Sequence, residues 1–206
     1  MVKNDVPTYS RKQLSYMASQ WLNTIDRPLF LNQCLNIDEL FNGLKQQFDV
    51  NYQQQPLGFI KDHKILGLMS PVENTIYIDP VLNEHHTMKR FTQAHEIAHW
   101  VLHRKLDLTD YNLADTPQQL NQKRQLITTY DWIEWQANTF AAFILIPHKR
   151  FSVAIDKALN QLGIKKSIIK LEYFEYYKLQ KILAYWFDVS YSVIGIYYQQ
   201  YKKTAL

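Results

Sequence analysis

The chain has 206 residues, 47% hydrophobic and 20% charged, a balance that suits one or at most two compact domains and excludes disordered and fibrous classes. Its longest apolar run, Phe140 to Pro147, falls well short of the ~20 residues that cross a bilayer, and residues 1–13 lack the apolar stretch of a secretory leader, so a soluble, cytoplasmic protein without membrane contact is expected. The formal charge of +4 is carried by residues 161–206, where seven lysines face only Glu172, Glu175 and Asp188; such a segment attracts acidic partners or nucleic acid, although a solvated lysine face gives the same tally.

Residues 11–25 place Leu14, Met17, Ala18, Trp21, Leu22 and Ile25 on one face at helical spacing, which predicts a first helix. Cys34, the only cysteine, leaves no internal disulfide, in keeping with a reducing compartment. A second helix is expected from Asn36, with Glu39 three residues on as in a capping box and Leu40, Leu44 and Phe48 turned inward. Leu57 to Lys61, Ile65 to Met69 and Thr75 to Asp79 are short β-prone runs split by turn-forming residues, the pattern of a small antiparallel three-stranded meander. Helical periodicity returns at Met88 and again over residues 130–146 and 168–201. This order predicts a mostly helical α+β fold, with residues 1–150 as one domain and 151–206 as a C-terminal helical segment packed on it.

The chemistry is concentrated in His95-Glu96-Ile97-Ala98-His99. Met88, Phe91, Ala94, Ala98 and Leu102 form an apolar stripe that includes both histidines, so the pentapeptide is expected on a helix. Four residues of separation stack His95 and His99 on one face, where both imidazoles reach one zinc ion, and Glu96 on the flank can accept a proton from water. His103 continues the ladder, but eight residues of helix put it about 12 Å from His95, too far to share an ion. It reads instead as a helix-end residue whose positive charge suits the helix dipole.

A third ligand is expected from a later helix, capped by Thr128 or Thr129, in which Glu134, Asn138, Ala141 and Leu145 share a face. A carboxylate on that small, apolar face needs a partner. The alanines at 137, 141 and 142 allow close approach to the first motif, which would bring Glu134 to the metal and leave the fourth position to water. Asn138, one turn on, is placed to hold the outer nitrogen of a ligand histidine and fix its tautomer.

Residues Phe91 to His103, followed by Glu134 to Ala142 and Leu145-Ile146-Pro147, resemble the ImmA/IrrE metallopeptidases, closely so over residues 55–150. The resemblance implies a zincin-like core with one zinc per chain, His95, His99 and Glu134 on the metal, and Glu96 as general base. Gln136 stands where many members carry a second acidic residue, which removes a spare ligand and leaves the set itself intact. The resemblance further implies a zinc-dependent endopeptidase acting on a specific protein, a helix-turn-helix transcriptional repressor of a mobile element, prophage or stress regulon.

An extended substrate is expected to add to the strand Thr75 to Asp79, and His63, His85, His86, His148 and Tyr130 are candidate oxyanion donors. Residues Ile182 to Ile194 are similar to the middle of a helix-turn-helix, with Ala184 and Val193 inward and Asp188-Val189-Ser190 as the turn. The would-be recognition helix, Tyr191 to Tyr201, offers Gln199 and Gln200 but no arginine, so hairpin packing or repressor docking is favoured over DNA contact. The competing function is a non-proteolytic partner-binding or DNA-binding regulator that retains the fold.

Overall fold

The computed structural model of the protein describes residues 6–60, 62–106, 128–165 and 167–204. Helix α1 (Arg11–Thr24) begins at Ser10, whose hydroxyl accepts from the Gln13 N–H while Gln13 reaches back to the Ser10 N–H, a complete capping box. Its buried face is Leu14, Ala18 and Leu22. A two-stranded antiparallel hairpin, β1 (Phe30–Leu31) and β2 (Cys34–Leu35), turns through Asn32 at φ 55°, a conformation asparagine tolerates better than most residues.

Helix α2 (Ile37–Phe48) starts at Asn36, whose side chain accepts from the Glu39 N–H at 3.2 Å. Only this half of the expected capping box forms, because the Glu39 carboxylate pairs with Arg27 at 2.5 Å. Leu40 and Leu44 are buried as expected, whereas Phe48 is 39% exposed and lays its ring against Trp100, with centroids 5.3 Å apart. The inward face instead includes Phe41.

The sheet has three strands, but its membership and pairing differ from the antiparallel meander. Strand β3 (Asn51–Gln54) runs parallel to β7 (Thr75–Ile78), with Asn51 opposite Thr75, and β7 pairs antiparallel with β6 (Gly67–Ser70), with Gly67 opposite Ile78. The run around Leu57 to Lys64 forms a separate small hairpin, β4 (Phe59–Ile60) and β5 (His63–Lys64). Strand β7 is therefore central and buried along its whole length. It offers no edge to a substrate, contrary to the expectation for Thr75 to Asp79; the outer margins belong to β3 and β6.

Two polar residues, half-buried Asn74 and buried Asp79, tie this sheet to its neighbours. Asn74, at φ 48° in the β6–β7 turn, donates to the carbonyls of Phe48 and Asp49 at 3.0 Å each and accepts from Trp100 Nε1 at 2.8 Å. Asp79 takes Lys64 at 2.6 Å and the Leu57 and Val81 N–H groups at 2.8 and 3.0 Å. Burial pushes its carboxyl up, but Lys64 and the two N–H donors outweigh that and hold it below the usual carboxylate range. Asp79 also caps the short 3-10 turn Pro80–Glu84 that leads into the motif helix.

Helix α3 (His86–His103) lies between β6 and β7 on one side and α4 (Thr129–Leu145) on the other. Because both sides are covered, residues 92 to 100 are all buried. The single apolar stripe expected from Met88 to Leu102 gives way to an all-round buried helix in which Met88 is exposed and Phe91 and Leu102 are half-buried. Thr128 caps α4 with a complete box through Asp131, and α4 also packs on α1.

The chain then forms α5 (His148–Gln161), outside the stretches expected to be helical, followed by α6 (Tyr173–Phe187) and α7 (Tyr191–Thr204). The break between α6 and α7 falls at the expected Asp188-Val189-Ser190 turn, with Asp188 at φ 53°. Ala184 is buried, while the inward residues of α7 are Ile194, Tyr197 and Tyr198, with Val193 only half-buried. One hydrophobic core runs from Leu14 on α1 to Tyr198 on α7. Asp188 ties the last two helices to α3, through His86 at 2.6 Å and Arg90 at 3.2 Å, and Arg90 reaches on to the Leu35 carbonyl at 2.9 Å. Among the described residues no helix is long and apolar enough to cross a membrane.

Candidate metal centre

Helix α3 delivers His95, Glu96 and His99 to one side of its contact with α4, and α4 delivers Glu134 and Asn138 to the other. His95 and His99 are fully buried and Glu134 is nearly so. The two Nε2 atoms are 2.8 Å apart, Glu134 Oε2 is 3.4 Å from His95 Nε2, and Glu134 Oε1 is 3.5 Å from His99 Nε2. Ligand atoms from these three side chains all lie within 4.8 Å of one another. A tetrahedral ion holding nitrogen and oxygen donors at about 2.0–2.2 Å keeps them roughly 3.3 Å apart, so the spread matches the cage such an ion requires.

The outer nitrogens explain why both Nε2 atoms point inward as acceptors. His95 Nδ1 donates to Asn138 Oδ1 at 3.0 Å, the role expected of Asn138. On the other histidine the holder is His103. Gln136 Nε2 donates to the Pro7 carbonyl at 2.6 Å, which turns its Oε1 toward His103 Nε2 at 3.2 Å. His103 Nε2 is then the donor, its Nδ1 accepts from His99 Nδ1–H at 3.1 Å, and the lone pair of His99 Nε2 is left for the site.

His103 is therefore outside the ligand cluster, as its distance from His95 required, but it is not a charged helix-end residue. It is 1% exposed, and burial, against a smaller opposing effect of Gln136, takes its imidazole down to about 4. Burial, with His95 and His103 alongside, likewise holds His99 well below the usual imidazole range. Neutral imidazoles are the state that binds a metal. Gln136, which read as a lost spare ligand, is the residue that orients this relay.

Glu96 is fully buried on the flank of α3 that faces β6. A Cβ at Gly67 would lie 2.5 Å from Glu96 Oε1 and 2.7 Å from Thr92 Cγ2, closer than packed atoms come. Gly67 was missed by the sequence reading, although a glycine inside a β-prone run is a recognised mark of close approach. Among the candidate oxyanion donors, His86 is engaged by Asp188 and His148 stacks near Tyr201, with centroids 5.2 Å apart.

A family model described as the IrrE N-terminal-like domain, a peptidase family, matches residues 61–195. No curated protein matches the chain.

Proposed function

The chain belongs to the IrrE N-terminal-like family of metallopeptidases, and from that premise we propose that it is a cytoplasmic, zinc-dependent endopeptidase that cuts a specific protein substrate. The observation that carries this reading is the buried convergence of His95, His99 and Glu134. Two neutral nitrogens and one carboxylate form a donor set suited to zinc, with room for a fourth, exchangeable position.

When bound, zinc would supply Lewis acidity toward water and the scissile carbonyl. The remaining work falls to the chain. Glu96, held against Gly67 next to the ligand histidines, takes the proton of the attacking water and passes it to the leaving amine. Asn138 and the His103–Gln136 pair keep both ligand imidazoles in the metal-binding tautomer.

The outer margin of β6 is the place for an extended substrate. It is an edge strand that packs on α3, and its first residue touches Glu96. A peptide added there as a fourth strand would gain backbone hydrogen bonds while its carbonyl passes the catalytic carboxylate. For the substrate we favour a helix-turn-helix repressor of a mobile element, prophage or stress regulon, on the strength of the resemblance described above.

Elemental analysis of wild type and Glu134→Ala, purified without added zinc, tests the centre. About one zinc per chain, sharply reduced in the variant, is expected; absence of zinc from wild type after incubation with the metal overturns the peptidase reading. Glu96→Gln is expected to keep the metal and to lose cleavage of a repressor encoded beside the gene. Unaltered regulation by that variant would instead favour a non-proteolytic binding role.

A further inference from the structure

A cavity of about 1300 Å³ lies apart from the metal set, bounded by α1, the segment Ile25 to Phe30, the C-terminal end of α4, the first turn of α5 and the last turns of α7. Its lining includes none of His95, Glu96, His99, His103, Glu134, Gln136 and Asn138. Its wall carries Arg11, Lys12, Arg27, His148, Lys149 and Arg150, and no carboxylate among the described residues. Glu39 neutralises Arg27. Arg11 is held by the Gln200 amide oxygen and Arg150 by the Asn32 carbonyl at 2.7 Å, neutral acceptors, and among the described residues neither guanidinium pairs with a carboxylate. Burial lowers both guanidinium groups from their ordinary range, as expected where cations line a recess without counter-ions.

Two further features point to what fills it. His148, Lys149 and Arg150 are the first three residues of α5, whose N-cap is Pro147 and whose first-turn N–H groups meet no capping side chain. An uncapped helix start among cations is a strong place for a phosphate. Independently, Tyr197 lines the cavity at 4% exposure, and its buried hydroxyl has no hydrogen-bond partner among the described residues, although Arg11 and Tyr201 lie close enough to act on it electrostatically. Buried hydroxyls are ordinarily satisfied.

The rest of the wall is largely apolar and aromatic, with Tyr16, Phe30 and Tyr201 presenting rings. The volume exceeds what inorganic phosphate would fill and suits a ligand with an organic body. Helices form most of the boundary, and their backbone groups are already hydrogen-bonded, so an extended acidic peptide would find few main-chain partners. We propose that this cavity binds a phosphorylated nucleoside, its phosphate at the first turn of α5 near Lys149 and Arg11 and its base against the tyrosine rings. That chemistry is shared by a free nucleotide and by the end of a single-stranded nucleic acid.

Calorimetric titration of the full chain in chelator, first with ADP and then with a short single-stranded oligodeoxyadenylate, tests the proposal without involving the metal centre. Saturable binding of one ligand per chain is expected. Lys149→Glu, at an exposed position, is expected to weaken it about tenfold or more, the worth of one charge-assisted contact. Tyr197→Phe is expected to weaken it about threefold to tenfold while the unliganded protein melts no lower than wild type, since the hydroxyl has no partner among the described residues. Preference for ADP assigns a free nucleotide, and preference for the oligonucleotide assigns a strand end. Absence of saturable binding of either probe to ~5 mM, or binding that both substitutions leave unchanged, overturns it.

Discussion

Gly67 has no side chain because Glu96 and Thr92 occupy the space one would need. Gly67→Ala is expected to cost about 1–3 kcal/mol by overpacking and to displace Glu96, so that zinc content stays near wild type while peptide cleavage falls; metal analysis beside a cleavage assay separates the two. On the opposite side of the site, Gln136→Leu removes the acceptor of His103 Nε2 and frees the relay to adopt the wrong tautomer. Zinc affinity, read by chelator competition, is expected to fall about 10- to 100-fold, and Gln136→Glu, which restores an acceptor, is expected to recover most of it. His103 also sets a pH dependence in the metal-free protein. Its imidazole sits at about 4 when folded against 6.5 ordinarily, so between these values the unfolded chain binds the extra proton. Stability is complete above pH ~6.5 and declines as pH falls toward ~4, by on the order of 3 kcal/mol, measurable as denaturation midpoints across that window.

Among the elements, the two motif helices were legible in the sequence and the sheet was not, for physical reasons. His95, His99, Glu134 and Asn138 sit at separations set by helical pitch, so local spacing alone places them on common faces. Strand β3 is Asn-Tyr-Gln-Gln, polar on both faces because it is an outer strand that buries little; nothing in its composition marks it, and the parallel pairing it makes with β7 depends on a crossover that spacing does not encode. His103 and Gln136 were each visible as residues, but their contact joins α3 to α4 and ends on Pro7, a distance in sequence that no periodicity spans. Phe48 reads as a core residue and is instead a partly exposed cover for Trp100. That corner depends on Asn74, whose amide serves α2 and α3 together. Asn74→Ala gives up three hydrogen bonds and a residue type suited to positive φ, and a loss of about 2–3 kcal/mol is expected in chemical denaturation, with α3 the helix whose amide protection falls most.

Over the whole molecule, one core joins the N-terminal helix to the C-terminal pair, and Asp188 adds a polar clasp between the last turn and the start of α3. Asp188→Ala removes the carboxylate from Arg90, a nearly buried cation, and is expected to cost about 1–3 kcal/mol. Because the clasp grips the helix that carries His95 and His99, loosened hydrogen exchange is expected to spread from residues 188–200 into the N-terminal turns of α3. The motif reading could place a turn at Asp188, since its position between two apolar helical stretches is local information. It could not place the two partners, which lie about a hundred residues earlier in the chain.

The outer margin of β6, which pairs with no further strand among the described residues, has a cost for the molecule that carries it. An unpaired strand edge recruits any extended chain, including a second copy of itself. Here the exposure is rationed: the strand is four residues long and Pro71 follows it immediately. Proline ends the ladder. Such a short margin holds a stranger weakly unless side-chain pockets add to the backbone bonds, so the same brevity that guards against aggregation would make sequence, and not mere extension, the condition for docking in the proposed role.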